Sequence, residues 1–297
     1  MPSRSSRPAV RFAPSPNGLL HLGHAFSALT VDAWAQRLGA RFLLRIEDTD
    51  RARSRPEFVE AIFRDLAWLG LAWEEPVLRQ SEHAADYEAA ARHLAEMGLV
   101  YPCFASRTEI ASAALPGAID PDGSPLYPGL HRTLTPEDIA QRQARGEPFC
   151  LRLDMTKALA SVRRKASGAP LTFSELADDG SKRVVVTDPA RWGDAVIVRK
   201  DGSASYHLAV VIDDARQQIS HVTRGLDLFA ATDIHRLLQA LLDLPEPVYH
   251  HHALISDPSG RKLAKSKGDR SLMALRAEGE TARNIRSKLG FKAAPVR

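Results

Sequence analysis

An early segment of the chain carries residues suited to binding phosphate groups. In Arg11 to His24, RFAPSPNGLLHLGH, the end of an apolar strand leads through a turn rich in Pro and Gly into a helix that we expect to run toward Leu38. A helix N-terminus offers unpaired N–H groups and a positive dipole end to an anion. His21 and His24 lie at that entrance, where both imidazoles can donate hydrogen bonds to phosphate oxygens. Taken alone, such a segment is more often a plain βα turn with surface histidines.

A second cluster of cations follows late in the chain. Lys262 to Ser266, KLAKS, lies in a polar loop rich in Lys and Gly. The Lys ammonium is a compact charge on a flexible stem, which suits a loop that closes over phosphates. This loop alone is typical of a solvated surface, but together with the early histidines it favours phosphate binding.

The two segments, in this order, resemble the HIGH and KMSKS motifs of class I aminoacyl-tRNA synthetases. Three further stretches narrow the resemblance to the glutamyl-tRNA synthetase family, over residues 10 to about 270: RIEDTD at 45–50, YHLAVVIDDA at 206–215 and VTRGLDL at 222–228. Too little chain follows KLAKS for the family's large anticodon-binding region. In this respect the chain is similar to the truncated branch of the family, the glutamyl-Q tRNA(Asp) synthetases.

The resemblance implies a ligase that uses ATP with Mg²⁺ to activate L-glutamate and transfers it to queuosine at the wobble position of tRNA(Asp). The core would then read the anticodon stem-loop, an exposed RNA loop of the kind that proteins usually recognise. Three alternatives stay open: a truncated glutamyl-tRNA synthetase that charges a tRNA 3′ end, an idle tRNA-binding paralogue, and a small-molecule nucleotidyltransferase. The intact motifs argue against an idle paralogue, and RIEDTD and VTRGLDL argue against the nucleotidyltransferase.

The resemblance also implies roles for individual residues. Catalysis would fall to His21, His24 and Lys265, and ATP would contact His21, Gly23, His24, Lys262, Lys265 and Ser266. Glutamate would contact Arg11, Ala13, Ser15, Glu47, Tyr206 and Arg224. The arginines suit a carboxylate because the guanidinium pairs with it bidentately, and Glu47 would face the ammonium. The plain alternative for Glu47 is a solvated acidic turn.

The family's truncated branch often holds zinc, and here this chain departs from the pattern. Cys103 stands at the first ligand position, but Ala105 replaces the second cysteine, while Tyr127 and His131 stand at the remaining positions. Structural zinc sites have four ligands, so these weak candidates are too few and we expect no tightly bound zinc. Cys150 lies in a predicted strand and is expected to be a small buried residue.

Composition is that of an ordinary soluble globular protein, with 44% hydrophobic and 26% charged residues in 297. No apolar run approaches the roughly 20 residues of a membrane span, and no secretory signal is recognisable. We therefore expect a cytoplasmic protein, and we expect it to be a monomer. Basic residues outnumber acidic ones after residue 260, which suits tRNA or, equally, a solvated tail.

The pattern of apolar runs predicts an α/β fold. We expect a Rossmann-type parallel sheet core, as in class I synthetases, that is split by an inserted subdomain and has no anticodon-binding domain. The expected divisions are a flexible tail at 1–8, core halves at 9–100 and 189–250, an insertion at 101–188, and the KLAKS loop with a basic extension at 251–297.

Local signals predict further details of the elements. Ser54 and Ser81 are expected to cap helices, and 194–214 is expected to form a hairpin around Asp201-Gly202, with 206–213 as a strand. A last strand is expected at 252–255. Asp213 and Asp214 would contact a ribose or the tRNA end or, equally, cap a helix.

Overall fold

The first part of the chain alternates strands with helices. The structure is a computed structural model that describes residues 7–255 and 270–292. Apolar strand residues alternate here with helices that end at glycines such as Gly39, whose φ of 58° closes the first helix. The elements are β1 (Ala9–Phe12), α1 (Leu22–Leu38), β2 (Arg41–Ile46), α2 (Pro56–Trp68), β3 (Glu74–Arg79) and α3 (Ala84–Glu96).

The middle of the chain is richer in strands. It contains β4 (Val100–Cys103), α4 (Arg107–Ala113), α5 (Pro136–Ala144), β5 (Cys150–Leu153), α6 (Met155–Lys165), β6 (Thr172–Leu176), β7 (Lys182–Val186) and β8 (Val196–Val198). The last part returns to alternation, with α7 (Tyr206–Arg216), β9 (His221–Gly225), α8 (Ala231–Leu241), β10 (Val248–His252), α9 (Leu272–Ala277) and α10 (Ala282–Lys288). Across the described residues, no helix combines the length and apolarity that crossing a bilayer requires.

Two mainly parallel sheets meet edge to edge in the core. One has the order β1-β2-β3 and the other β7-β6-β10-β9, and β1 lies beside β9. Ser220 joins them, since its N–H donates to the Ala9 carbonyl at 3.0 Å and its Oγ accepts from the Ala9 N–H at 2.9 Å. The chain leaves β1 toward one side and β9 toward the other, which makes a topological switch point at their carboxyl ends. The parallel α/β core predicted from the sequence is confirmed.

A third, antiparallel sheet has the order β4-β5-β8. Its strand β8 lies beyond the range 101–188, while the hairpin β6-β7 lies within that range and pairs with β10 through Tyr249 and Glu175. The middle segment therefore contributes strands to two different sheets. The division into domains stays a prediction.

Residues 206–216 form a helix, so the predicted second arm of the hairpin is wrong. The turn itself is present, because Val198 bridges Ala204 across it, but Ser205 then caps α7 by accepting the Leu208 N–H. The helix is buried on several sides. Its apolar residues therefore do not recur with the helical period that a half-exposed helix shows. Four consecutive apolar side chains are buried here: Leu208, Ala209, Val210 and Val211.

Smaller corrections concern the ends of elements. The last strand is β10 at 248–252 and not 252–255, and β3 was not predicted because its side chains are largely exposed. Helix α2 begins one residue later than expected, with Arg55 at the N-cap and Pro56 next. Ser81 caps no helix, since its N–H and hydroxyl both donate to Asp48 at 2.8 Å.

A buried ion cluster joins β1, β2 and α7. Arg45 is fully buried and donates from Nη1 to Asp214 Oδ1 at 2.7 Å and from Nη2 to Glu47 Oε1 at 3.2 Å. Asp214 also accepts two hydrogen bonds from Arg11, at 2.9 and 3.3 Å. Burial alone would lower the pKa of Arg45, but the nearby carboxylates, Asp214 foremost, outweigh burial and raise that pKa. The cluster thus holds these elements by compensated charges.

Asp213 completes the cluster from the opposite side. Its carboxylate accepts hydrogen bonds from Gln80 Nε2 at 2.7 Å and from Tyr87 Oη at 2.9 Å. It also lies 4.0 Å from Arg45 Nε. Both carboxylates are engaged within the protein and cap no helix, so the expected cap is wrong, while contact with a ribose or the tRNA end stays a prediction.

We predict that Arg45→Met lowers the free energy of unfolding by about 3–5 kcal/mol, because buried carboxylates lose their cation. Arg41→Met on the same strand is the matched control. The Arg41 pair with Glu74 is partly exposed, so the expected loss is at most about 1 kcal/mol. Urea unfolding followed by tryptophan fluorescence measures both, and equal losses would contradict a special role for the buried cation.

Candidate active site

A cavity of about 530 Å³ opens at the topological switch point. Residues from the carboxyl ends of β1, β9 and β10 line it, together with the start of α1. The residues predicted to bind ATP or glutamate that the structure describes all lie in its wall: Arg11, Ala13, Ser15, His21, Gly23, His24, Glu47, Tyr206 and Arg224. Lys262, Lys265 and Ser266 lie outside the described residues, so their roles stay predictions.

The two histidines form the cap of α1. His21 Nδ1 accepts the Gly23 N–H at 3.0 Å, and His24 Nδ1 accepts the His21 N–H at 3.2 Å. The ring centroids are 3.9 Å apart. Because each Nδ1 is an acceptor, each neutral ring carries its proton on Nε2. The pair therefore presents two ring N–H donors at the positive end of a helix, an arrangement suited to the phosphates of a nucleotide.

Gly23 permits this arrangement by its lack of a side chain. A Cβ at this position would lie 2.9 Å from His21 Cε1, closer than real Cβ contacts. The His21 ring could then not fold back onto its own helix. The glycine between the histidines is thus required by the cap itself.

Arg224 is a buried cation that no carboxylate of the described residues pairs with. It is 5% exposed and lies at the end of β9. Its Nη2 donates to Thr232 Oγ1 at 2.7 Å, Nη1 lies 3.0 Å from His235 Nδ1 and 3.5 Å from Tyr206 Oη, and Nε lies 3.3 Å from His251 Nε2. A buried charge without a counter-ion is costly, so this site favours an anionic ligand.

The histidines around Arg224 are held neutral. Burial foremost, and the Arg224 cation after it, lowers the pKa of His207 to about 4 and that of His251 to about 2, and moves the pKa of His235 well below its ordinary value. Glu175 on β6 lies 2.9 Å from His251 Nδ1, which places the His251 proton on Nδ1 and leaves Nε2 to accept from Arg224. Glu175 thereby orients Arg224 through one imidazole.

The other charged residues of the cavity wall that were predicted to bind glutamate are Arg11 and Glu47. Arg11 is already neutralised by Asp214, whereas Glu47 makes a single 3.2 Å contact with Arg45 and lines the cavity. Burial raises the pKa of Glu47, although Arg45 and Arg11 oppose the rise. Burial also raises the pKa of Tyr206, which keeps its hydroxyl protonated. The charges of Arg11 and Glu47 are thus paired within the protein, unlike the charge of Arg224.

The residues that surround Arg224 were not predicted from the sequence. They are His207, His235, His251 and Thr232. The run of three histidines at 250–252 was the available signal, because histidines in a buried strand need polar partners.

The side chains at the expected zinc position, Cys103, Tyr127 and His131, form hydrogen bonds within the protein. His131 Nδ1 accepts the backbone N–H groups of Phe104 and Ala105, at 3.1 and 3.2 Å. Tyr127 Oη lies 3.3 Å from Cys103 Sγ and accepts the His131 N–H at 2.9 Å. These donors do not fit a zinc ion, and among the described residues no three His, Cys, Asp or Glu side chains form a metal-binding group.

Comparison with known protein families gives one match along most of the chain. Residues 9–292 match the model described as "tRNA synthetases class I (E and Q), catalytic domain". The chain is similar to a glutamyl-Q tRNA(Asp) synthetase of Rhodobacter capsulatus, with 46% identity over 288 residues that cover 95% of this chain and 99% of that relative.

Longer relatives match over part of their length. A glutamate–tRNA ligase of Prochlorococcus marinus is 38% identical over 297 residues, covering 95% of this chain and 58% of the relative. The solved glutamate-tRNA synthetase of Elizabethkingia anophelis has a TM-score of 0.70 and 28% identity, covering 89% of this chain and 54% of that one. This chain therefore spans little more than half of these two proteins.

We predict that His251 stays neutral, with its proton on Nδ1, from pH 8 to pH 5, because burial and Arg224 lower its pKa to about 2. Nitrogen-15 shifts of labelled histidine rings measure this directly. In an Arg224→Met variant the neighbouring cation is gone, so the pKa of His251 should rise. A protonation midpoint above pH 5 in the unaltered protein would contradict the assignment.

Proposed function

This chain belongs to the class I tRNA synthetase family for glutamate and glutamine, and we propose that it activates L-glutamate with ATP and transfers it to queuosine at the wobble position of tRNA(Asp). As a member of this family it is an ATP-dependent ligase of the aminoacyl-tRNA synthetase type. The glutamyl-Q relative of matching length supports the choice of acceptor. We place the reaction in the cytoplasm and propose that the chain acts as a monomer.

The unpaired cation Arg224 is the observation that carries the choice of glutamate. A side-chain carboxylate would neutralise this buried guanidinium by a charge-assisted, bidentate contact. The neutral amide of glutamine would leave the charge uncompensated, and a buried unpaired charge is strongly unfavourable. The neutral histidines around Arg224 add no compensation of their own. Glutamine is thus excluded by charge and not by size.

The remaining groups of glutamate are assigned to other residues of the cavity wall. We assign the α-ammonium to Glu47, which lines the cavity as Asp227 does, and the Tyr206 hydroxyl lies 3.5 Å from Arg224 Nη1. Ala13 and Ser15 line the same wall after β1. We assign the α-carboxylate to the side of the cavity toward the α1 cap, where the triphosphate would lie.

Activation consists of attack by an α-carboxylate oxygen on the α-phosphorus of ATP, with pyrophosphate as the leaving group. His21 and His24 donate from Nε2 to the phosphate oxygens, and the N-terminus of α1 adds its dipole. Mg²⁺ would be held mainly by phosphate oxygens and water, and would supply charge neutralisation on the pyrophosphate. Lys262, Lys265 and Ser266 are proposed from the sequence alone to complete this site.

A second cavity offers room for the acceptor. It measures about 520 Å³ and is lined by Thr49, Tyr87 and Ala204 among others. Thr49 follows Glu47 by two residues and Ala204 precedes Tyr206 by two, so the same two stretches of chain contribute to both cavities. A hydroxyl of the acceptor nucleoside placed here would attack the carbonyl carbon of the adenylate and release AMP.

We predict that Arg224→Gln raises the KM for glutamate about 100-fold while the KM for ATP changes little, because only the carboxylate loses its partner. Glutamate-dependent ATP–pyrophosphate exchange, with and without tRNA, measures both constants. Arg183→Gln is the matched control, because Arg183 pairs with the same Glu175 but has a 70% exposed side chain. An unchanged KM for glutamate in Arg224→Gln would remove Arg224 from the substrate site.

The acceptor is tested with two forms of one tRNA. We expect labelled glutamate to be transferred to tRNA(Asp) that carries queuosine and lacks its 3′ CCA end, and not to the same tRNA with guanosine at the wobble position. The glutamate–tRNA ligase relatives make charging of a 3′ end the competing function. Transfer that depends on an intact CCA end of tRNA(Glu) and ignores queuosine would establish that alternative.

A further inference from the structure

We propose that a third cavity, lined by three arginines, binds a phosphate group of the RNA next to the acceptor nucleoside. This inference rests on the proposed function and adds to it the place where the RNA backbone is held. The cavity measures about 310 Å³. Its arginines are Arg51 from the loop after β2, Arg55 at the N-cap of α2 and Arg79 at the end of β3.

The charges in this cavity are not balanced. Asp48 is its single acidic lining residue, against three arginines. Both Asp48 oxygens already accept hydrogen bonds from Ser81, at 2.8 Å. The cavity therefore carries an excess of positive charge, and its carboxylate is held by the protein's own backbone and hydroxyl groups. An anion is the ligand that this balance favours.

The arginines themselves lack strong partners among the described residues. Arg51 and Arg79 form no ion pair there, and Arg55 has an exposed contact with Glu57 at 3.7 Å. Arg53 in the same loop differs, since it donates to Asp50 at 2.7 Å and does not line the cavity. Arginines that converge on a concave surface without partners are suited to phosphate, which their planar forks bind bidentately.

The position of the cavity identifies the source of the phosphate. Arg51 and Ser81 line both the second and the third cavity. Along one stretch of chain, Glu47 faces the first cavity, Thr49 the second, and Asp48 the third. In RNA every nucleoside is flanked by phosphodiesters, so a nucleoside in the second cavity brings a phosphate toward the third. Phosphate contacts of this kind position an RNA without reading its sequence.

The test compares binding of tRNA(Asp) to the full chain with Arg51→Gln, Arg79→Gln and the double variant, between 50 and 200 mM KCl. Each lost contact should weaken binding several-fold and reduce the slope of log Kd against log salt concentration by roughly 0.7–1. The loss should be equal for the queuosine and guanosine forms, because a phosphate contact ignores the base. Arg92→Gln, exposed on α3 and outside all three cavities, is the matched control and should keep the slope of the unaltered protein.

The possible outcomes separate this inference from the proposed function. Melting curves first establish that each variant is folded. If the unaltered protein glutamylates tRNA(Asp) but the double variant keeps its salt slope, this inference alone is overturned. If the double variant loses only the binding of inorganic phosphate, measured by calorimetry, the cavity takes a free phosphate and the RNA contact is refuted. Absence of both tRNA binding and glutamylation in the unaltered protein would overturn the two proposals together.

Discussion

A buried arginine requires carboxylates around it, and Arg45 imposes this requirement on three elements. Its pairing with Asp214 and Glu47 ties β2 to α7 and to the loop that follows β2, and Asp214 in turn neutralises Arg11 on β1. The cluster therefore determines which charges are already compensated where the cavity at the switch point begins. Arg11 is satisfied within the protein, whereas Arg224 across the cavity is not. The uncompensated positive charge of the cavity therefore lies at Arg224 and not at Arg11.

The parts of the site that depend on local chemistry could be predicted from the sequence. The histidine turn is such a part, because Pro, Gly and the first helical turn impose their geometry within a few residues. The parallel α/β core follows from the alternation of apolar runs with helical patterns. The positions of Arg11, Glu47 and Arg224 at one end of the sheet follow in turn, since carboxyl ends of parallel strands share an edge.

The parts that depend on distant partners could not be predicted. Tyr206 begins a helix where a strand was predicted. The prediction failed because α7 is largely buried, so its sequence lacks the alternation of apolar and polar faces that indicates a helix. The role of Asp214 is set by Arg11, which is 203 residues away in the sequence, and that of His251 by Glu175. The arginine cavity combines two loops with the end of β3. This strand was not predicted, because its side chains are largely exposed. In each case the deciding contact joins residues far apart in the sequence, and the local sequence pattern does not predict it.

The link from Glu175 through His251 to Arg224 bears on the modularity of this protein. Glu175 lies on β6, in a stretch that the sequence predicts to be an insertion, yet it orients Arg224 through a single imidazole. Exchange of the β6-β7 hairpin between related proteins would thus also change the surroundings of the buried arginine. Such chimaeras would inherit part of the charge arrangement of the cavity from the hairpin as well as from β9.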